Sequence, residues 1–103
     1  MYKVKLLPIT RTDLQKAKKW YNEQRSDLGE EFKHEVNKEM DYISTYPFHY
    51  QTKYKEVRVS YVTRFPYGIF YFIEEVKKQI VILGVLHNKR NTNIIQQRIR
   101  EQR

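Results

Sequence analysis

Two runs, Ile69-Phe-Tyr-Phe-Ile73 and, five residues on, Gln79-Ile-Val-Ile-Leu-Gly-Val-Leu-His87, decide the fold. In the first, Ile69, Tyr71 and Ile73 alternate with Phe70 and Phe72, a period of two that predicts a β-strand with apolar residues on both faces. The second, from Ile80 to Leu86, is apolar on both sides and is placed centrally in a sheet. Just upstream, Val57, Val59 and Tyr61 alternate with Glu56, Arg58 and Ser60. The links, Thr63 to Gly68 and Glu74 to Lys78, are short, so the three strands form an antiparallel meander.

Upstream of Pro47 the period changes. Phe32, Val36, Met40 and Ile43 recur at spacings of four, four and three and predict a helix that ends before Pro47. Leu14, Ala17, Trp20 or Tyr21 and Gln24 trace one face of another, from an N-cap at Thr10, with Asp13 in its first turn, to about Ser26. Asp27-Leu-Gly-Glu-Glu31 separates them, too short for anything but an antiparallel helical hairpin. At the start, Val4 and Leu6 alternate with Lys3 and Lys5 in a strand that Pro8 stops or confines to an edge. Downstream, Asn88 to Asn93 is polar and turn-like, and Ile94 to Arg103 is a short basic helix or an unanchored tail. The expectation is an α+β fold, β-α-α-β-β-β, with the hairpin on one face of a small antiparallel sheet. The folded domain is expected over residues 1–93 and the tail over 94–103.

A chain of 103 residues buries about two-thirds of its unfolded surface, enough for one core. There is no cysteine, hence no disulfide and no thiolate metal site, and His34, His49 and His87 are scattered. The longest apolar run, Ile80 to Leu86, is far short of the roughly 20 residues that span a membrane. The start, interrupted by Lys3, Lys5 and Arg11, lacks a secretory apolar stretch. A cytoplasmic protein without metal or cofactor is expected.

The formal charge of +8 is uneven. Residues 1–50 carry 9 basic and 8 acidic side chains, residues 51–103 carry 11 and 4. A one-signed excess confined to half a small domain fits a polyanionic partner, either nucleic acid or an acidic protein segment. The alternative is a solvated basic surface.

The element order, Arg64-Phe-Pro-Tyr67-Gly-Ile-Phe-Tyr71 entering a strand, and the last strand followed by His87-Asn-Lys-Arg90 together resemble the RelE/ParE family of toxins from bacterial type II toxin–antitoxin modules. The likeness runs from about Val4 to Arg98 and includes Trp20-Tyr21 and Leu28-Gly29 with Phe32. It implies a plasmid-stabilisation toxin that halts growth when free and is silenced by a cognate antitoxin. One branch of the family poisons DNA gyrase and the other cleaves mRNA on the ribosome.

Metal-free RNA cleavage needs a base for the 2′-hydroxyl, a cation for the phosphorane and an acid for the leaving oxygen. His87, Arg90, Arg64 and Arg58 have that chemistry. The resemblance implies for the cleaving branch paired basic residues before the middle turn of the meander, an arginine where this chain has Gly68, and an aromatic where it has Ile94-Ile95. Arg58 alone fits the first. Those departures favour the gyrase branch, with Arg58, Arg64, Tyr67, Lys89, Arg90 and Arg98 as target or nucleic-acid contacts. The mRNA endoribonuclease and an inactive antitoxin-binding relative are the alternatives. Structural roles compete for the same residues: His87 as a strand-end hydrogen-bonding group, Arg64 paired with a helix carboxylate, Tyr67 and Tyr71 as sheet aromatics. The Phe and Tyr residues from Tyr42 to Phe72 are expected mostly in the core, under the hairpin.

Overall fold

Pro8, which has no N–H to give a ladder, ends the first strand and opens the first helix, where that missing donor costs nothing. The computed structural model describes residues 1–90 and 93–102. Strand β1 is Lys3–Leu6 and helix α1 Pro8–Gln24; α2 is Leu28–Thr45. The strands β2 (Thr52–Tyr54), β3 (Val57–Tyr61), β4 (Tyr67–Glu74) and β5 (Gln79–His87) follow, then α3 (Asn93–Glu101).

The sheet order is β1-β5-β4-β3-β2. The meander β3-β4-β5 is antiparallel and β5 has a strand on each side. Two features differ from the expectation. A three-residue β2 adds to β3, and β1 runs parallel to β5, so the sheet is mixed. Each short connection reverses the chain, and six reversals separate β1 from β5, which returns them in the same direction. Side-chain periodicity within one strand carries no information on direction.

The hairpin is as expected, with corrections at both helix starts. Thr10 is not a cap: α1 begins at Pro8, no side chain caps it, and the buried Thr10 hydroxyl donates to the Ile82 carbonyl at 2.7 Å. Helix α2 begins at Leu28, with Glu30 and Glu31 in its first turn where the dipole favours them. Gly29 is therefore helical. A Cβ there would collide with the Lys18 carbonyl and the Asn22 side chain, so glycine lets the two helices close at the turn.

One core lies under the hairpin, where Ala17, Tyr21, Phe32, Val36, Met40 and Ile43 meet Ile69, Tyr71, Ile80, Ile82 and Val85. The other lies on the opposite face, where Val57, Val59, Phe70, Val81, Leu83 and Leu86 are covered by Ile95 and Ile99. The C-terminal segment expected as a basic helix or tail is thus a helix, anchored by its apolar side. Asn91, Thr92 and Arg103, part of the expected turn and tail, lie outside the described residues. Tyr42, Tyr46 and Phe48, expected in the core, stand at the surface instead, because the hairpin covers the sheet and leaves the end of α2 and its following loop open, and Tyr61, the last residue of β3, is exposed as well.

In β5 the alternation breaks once. Phe70 pairs with Gly84 but Tyr71 pairs with Ile82, so Leu83 is the extra residue of a β-bulge. Ile80 and Ile82 face the hairpin, and so does Val85, one position out of phase. The bulge occurs just past Ile82, the last partner of β1. Beyond it, side chains replace the missing strand. Asp13 accepts the Val85 N–H at 3.1 Å, and Arg98 donates to the Leu83 carbonyl at 2.9 Å. Arg98 and Asp13 also bond each other through two contacts, 2.7 and 3.1 Å, with each side chain only 10% exposed. A Cβ on Gly84 would enter the Arg98 guanidinium.

Removing one member of a buried pair leaves the other charge uncompensated. Arg98→Ala is expected to cost about 3–5 kcal/mol in urea unfolding, and Arg98→Lys to recover only part, since an ammonium lacks the planar fork that spans both Asp13 oxygens. Tyr71, fully buried, donates its hydroxyl to the Pro47 carbonyl at 2.9 Å, and burial pushes its phenol up to about 12. The folded protein thus keeps this proton where the unfolded chain releases it. Stability is present below about pH 10 and lost as pH rises toward about 12. Tyr71→Phe should lower stability at neutral pH by about 1 kcal/mol and flatten the alkaline loss, as read from urea midpoints across that range.

Candidate functional site

The bulge also sets where β5 delivers its last residue. With the phase advanced by one, His87 falls on the Val85 side, facing α1, where an unbroken alternation would have turned it toward α3. Tyr67, its cross-strand partner, meets its ring edge-on at 5.4 Å. His87 Nδ1 accepts the Lys89 N–H at 3.1 Å, which leaves Nε2–H as the outward donor of the neutral ring. The Arg90 N–H donates to the His87 carbonyl at 2.8 Å and the Asn88 N–H to the Pro66 carbonyl, so the turn after β5 is tied to the turn before β4. Burial pushes the Tyr67 phenol up, opposed by the nearby Arg90 guanidinium. His87, Tyr67, Lys89 and Arg90 therefore share one end of the sheet.

These residues border a cleft of about 580 Å³ between α1 and the end of β5. Lys16 and Trp20 stand on its α1 wall, and Asp13 and Arg98 also line it. Trp20 is 54% exposed, its edge against Tyr21 at 5.1 Å. Helical periodicity alone places Trp20 or Tyr21 on the apolar face of the helix and Lys16 mostly on the other. The spacing of four from Lys16 to Trp20 places them one turn apart, but only the tertiary fold puts β5 opposite them.

The remaining sequence-predicted residues are held elsewhere. Arg98, expected as an exposed contact, is a correction: its guanidinium is consumed by Asp13 and Leu83, since β5 needs those bonds where β1 stops. Arg58 is on β3 opposite Tyr71, where it donates to the Tyr50 carbonyl and lies over the Phe48 ring at 5.2 Å. Four residues of β4 separate that level from Tyr67, about 13 Å along the sheet. Arg64 is at the same end as Tyr67 but turned to α2, bonding Glu31 at 2.7 Å and approaching Glu35 at 3.6 Å. The Arg64 guanidinium, with Arg25 behind it, holds the Glu31 carboxyl below the usual carboxylate range. The helix-carboxylate role for Arg64 and the strand-end role for His87 are both present.

A second groove, about 490 Å³, runs along the hairpin, with Leu14, Phe32, Val36 and Met40 in it and Arg11, Lys18 and Lys33 beside them. Among the described residues no three His, Asp or Glu side chains are grouped to hold a metal ion, and no helix is long and apolar enough to cross a membrane.

A helical hairpin on a small sheet whose meander ends in a basic turn is the architecture that the toxin resemblance implies, a toxin of the type II toxin–antitoxin class. Residues 4–92 match the family described as the ParE toxin of the type II toxin-antitoxin system, parDE, and the chain belongs to that family. Membership implies a cognate antitoxin as partner. No curated protein matches the chain.

Arg64 has φ 73°, the left-handed region that glycine occupies freely. Arg64→Gly removes the half-exposed guanidinium from Glu31 and Glu35 while relaxing the backbone. Its melting temperature is expected within about 4 °C of the parent, whereas Arg64→Val, β-branched in the same conformation, should melt lower. Thermal melts followed by circular dichroism check both.

Proposed function

We propose that this toxin acts by binding DNA gyrase and holding its DNA-cleaved state, with no catalytic turnover of its own, until the antitoxin covers it. The observation that carries the reading is the dispersal of the residues a ribonuclease would use. A general base, a general acid and a phosphorane-stabilising cation must converge within hydrogen-bond reach of one phosphate. Here Arg58 is engaged about 13 Å up the sheet from the His87 level, Arg64 is paired with α2, and His87 has one ring nitrogen already bonded. What remains together, Tyr67, His87, Lys89 and Arg90, suits binding better than acid–base chemistry.

The antitoxin segment is read as acidic with apolar anchors. The groove along the hairpin offers apolar side chains between Arg11, Lys18 and Lys33, and such a groove takes an amphipathic segment by burying its anchors and pairing its charges. The cluster at the end of the sheet carries the target contact.

The test is direct. Purified protein added to gyrase supercoiling a plasmid should accumulate cleaved DNA after detergent and protease treatment, with Arg90→Gln at least about tenfold less potent, as expected for loss of a charge-assisted contact. Ribosome-bound mRNA should remain intact in parallel. Codon-positioned mRNA cuts with unbroken plasmid would replace this reading with the endoribonuclease, and absence of both, with no growth arrest on expression, would identify an inactive antitoxin-binding relative.

A further inference from the structure

The cleft between α1 and the end of β5 has a composition that target contact alone does not explain. Its volume, about 580 Å³, is within the range of small-ligand pockets, roughly 300–1,000 Å³. On one wall Lys16 and Trp20 stand a turn apart on α1; on the other are Tyr67 and His87, with Arg90 on the turn beyond. Trp20 is more than half exposed although it is the largest apolar side chain in the protein and its helix has a core to bury it in.

The charges are unbalanced in one direction. Among the described residues Asp13 is the only carboxylate lining the cleft, and both its oxygens are bonded by Arg98. Lys16 and Arg90 have no ion-pair partner among the described residues. Two free cations therefore face a gap walled by aromatic rings. That pairing suits a ligand that is planar at one end and anionic at the other.

An extended peptide would ordinarily claim such a place by adding to the open edge of β5. That route is closed, because the Leu83 carbonyl and the Val85 N–H are already taken by Arg98 and Asp13. What the cleft accepts is compact. We propose that it is a nucleotide-binding site, with the base stacked on Trp20 and the phosphate held between Lys16 and Arg90. His87, with Nδ1 engaged, offers Nε2–H as a further donor to the phosphate or base. The nucleotide comes either as a free mononucleotide or as an unstacked base of a single strand; the chemistry at the cleft is the same. This goes beyond the gyrase reading and stands without it, since it concerns binding to the isolated protein.

Trp20 is the only tryptophan, so its emission reports the site directly. The full chain is titrated with AMP, ATP, an eight-nucleotide single strand, inorganic phosphate and an acidic peptide, and binding to the variants is repeated by calorimetry. Saturable quenching by nucleotide is expected, about tenfold weaker in Lys16→Gln and in Arg90→Gln, with Trp20→Ala losing comparable affinity in calorimetry while its circular dichroism stays that of the parent. Saturation by AMP or ATP at concentrations no higher than the strand requires assigns a free nucleotide; response to the strand alone assigns an exposed base. The proposal is overturned if no nucleotide gives a saturable response, if the response is unchanged in both charge variants, if inorganic phosphate binds as tightly as AMP, or if only the acidic peptide binds. Because gyrase is absent from the assay, failure here leaves the gyrase reading where it was, and failure of that reading leaves this one intact.

Discussion

Where β1 stops, β5 continues for five residues with one edge uncovered, and the Asp13–Arg98 pair closes that edge. A bare sheet edge inside a protein costs unsatisfied backbone groups. Most small folds meet that cost with another strand. Here a carboxylate from α1 takes the Val85 N–H, a guanidinium from α3 takes the Leu83 carbonyl, and the two side chains bond each other. A short β1 is thereby sufficient, and both helices are fixed to the strand at the same place. Thr10, one turn earlier on α1, satisfies the Ile82 carbonyl in the same way.

The pair depends on the bulge beside it. Leu83 is the residue without a partner on β4, and Gly84 is the only residue type that leaves room for the guanidinium. The same bulge advances the side-chain phase, so that Val85 joins the hairpin core while Leu86 joins the core under α3. It also directs His87 toward α1. A single inserted residue thus ties packing, edge protection and placement of the functional end together. The cost is that polar groups from three distant parts of the chain must assemble correctly, since a half-formed version of the cluster would leave a buried charge alone.

The rest of the basic surplus is put to different uses. Arg98 is structural, Arg58 holds the loop after α2 through Tyr50 and Phe48, and Arg64 clasps the hairpin by Glu31 and Glu35. Arg90 and Lys16 are left to face a cleft. The +7 of the second half, which as a sum points to a polyanion, is in part a set of internal fastenings. For a member of the ParE toxin family this separates the residues that make the protein from those at hand for a partner.

Local patterns were enough to read the meander and the hairpin, because Val57–Tyr61 and Ile69–Ile73 alternate at period two, Ile80–Leu86 is an unbroken apolar run and Phe32, Val36, Met40 and Ile43 recur at helical spacing, while Arg64–Tyr71 and His87–Arg90 carried the family resemblance. They also placed Arg64, Tyr67, His87, Lys89 and Arg90 at turns and strand ends. They could not show that β1 runs parallel, since alternation is blind to direction, nor that Thr10 bonds a strand instead of capping a helix, nor that Arg98 is buried. Those outcomes depend on neighbours 76, 72 and 85 residues away in sequence. The choice of face for His87, and with it the cleft shared with Lys16 and Trp20, was decided by one bulge, whose position is set by where a partner strand ends and by which side chains can then satisfy the backbone it leaves bare.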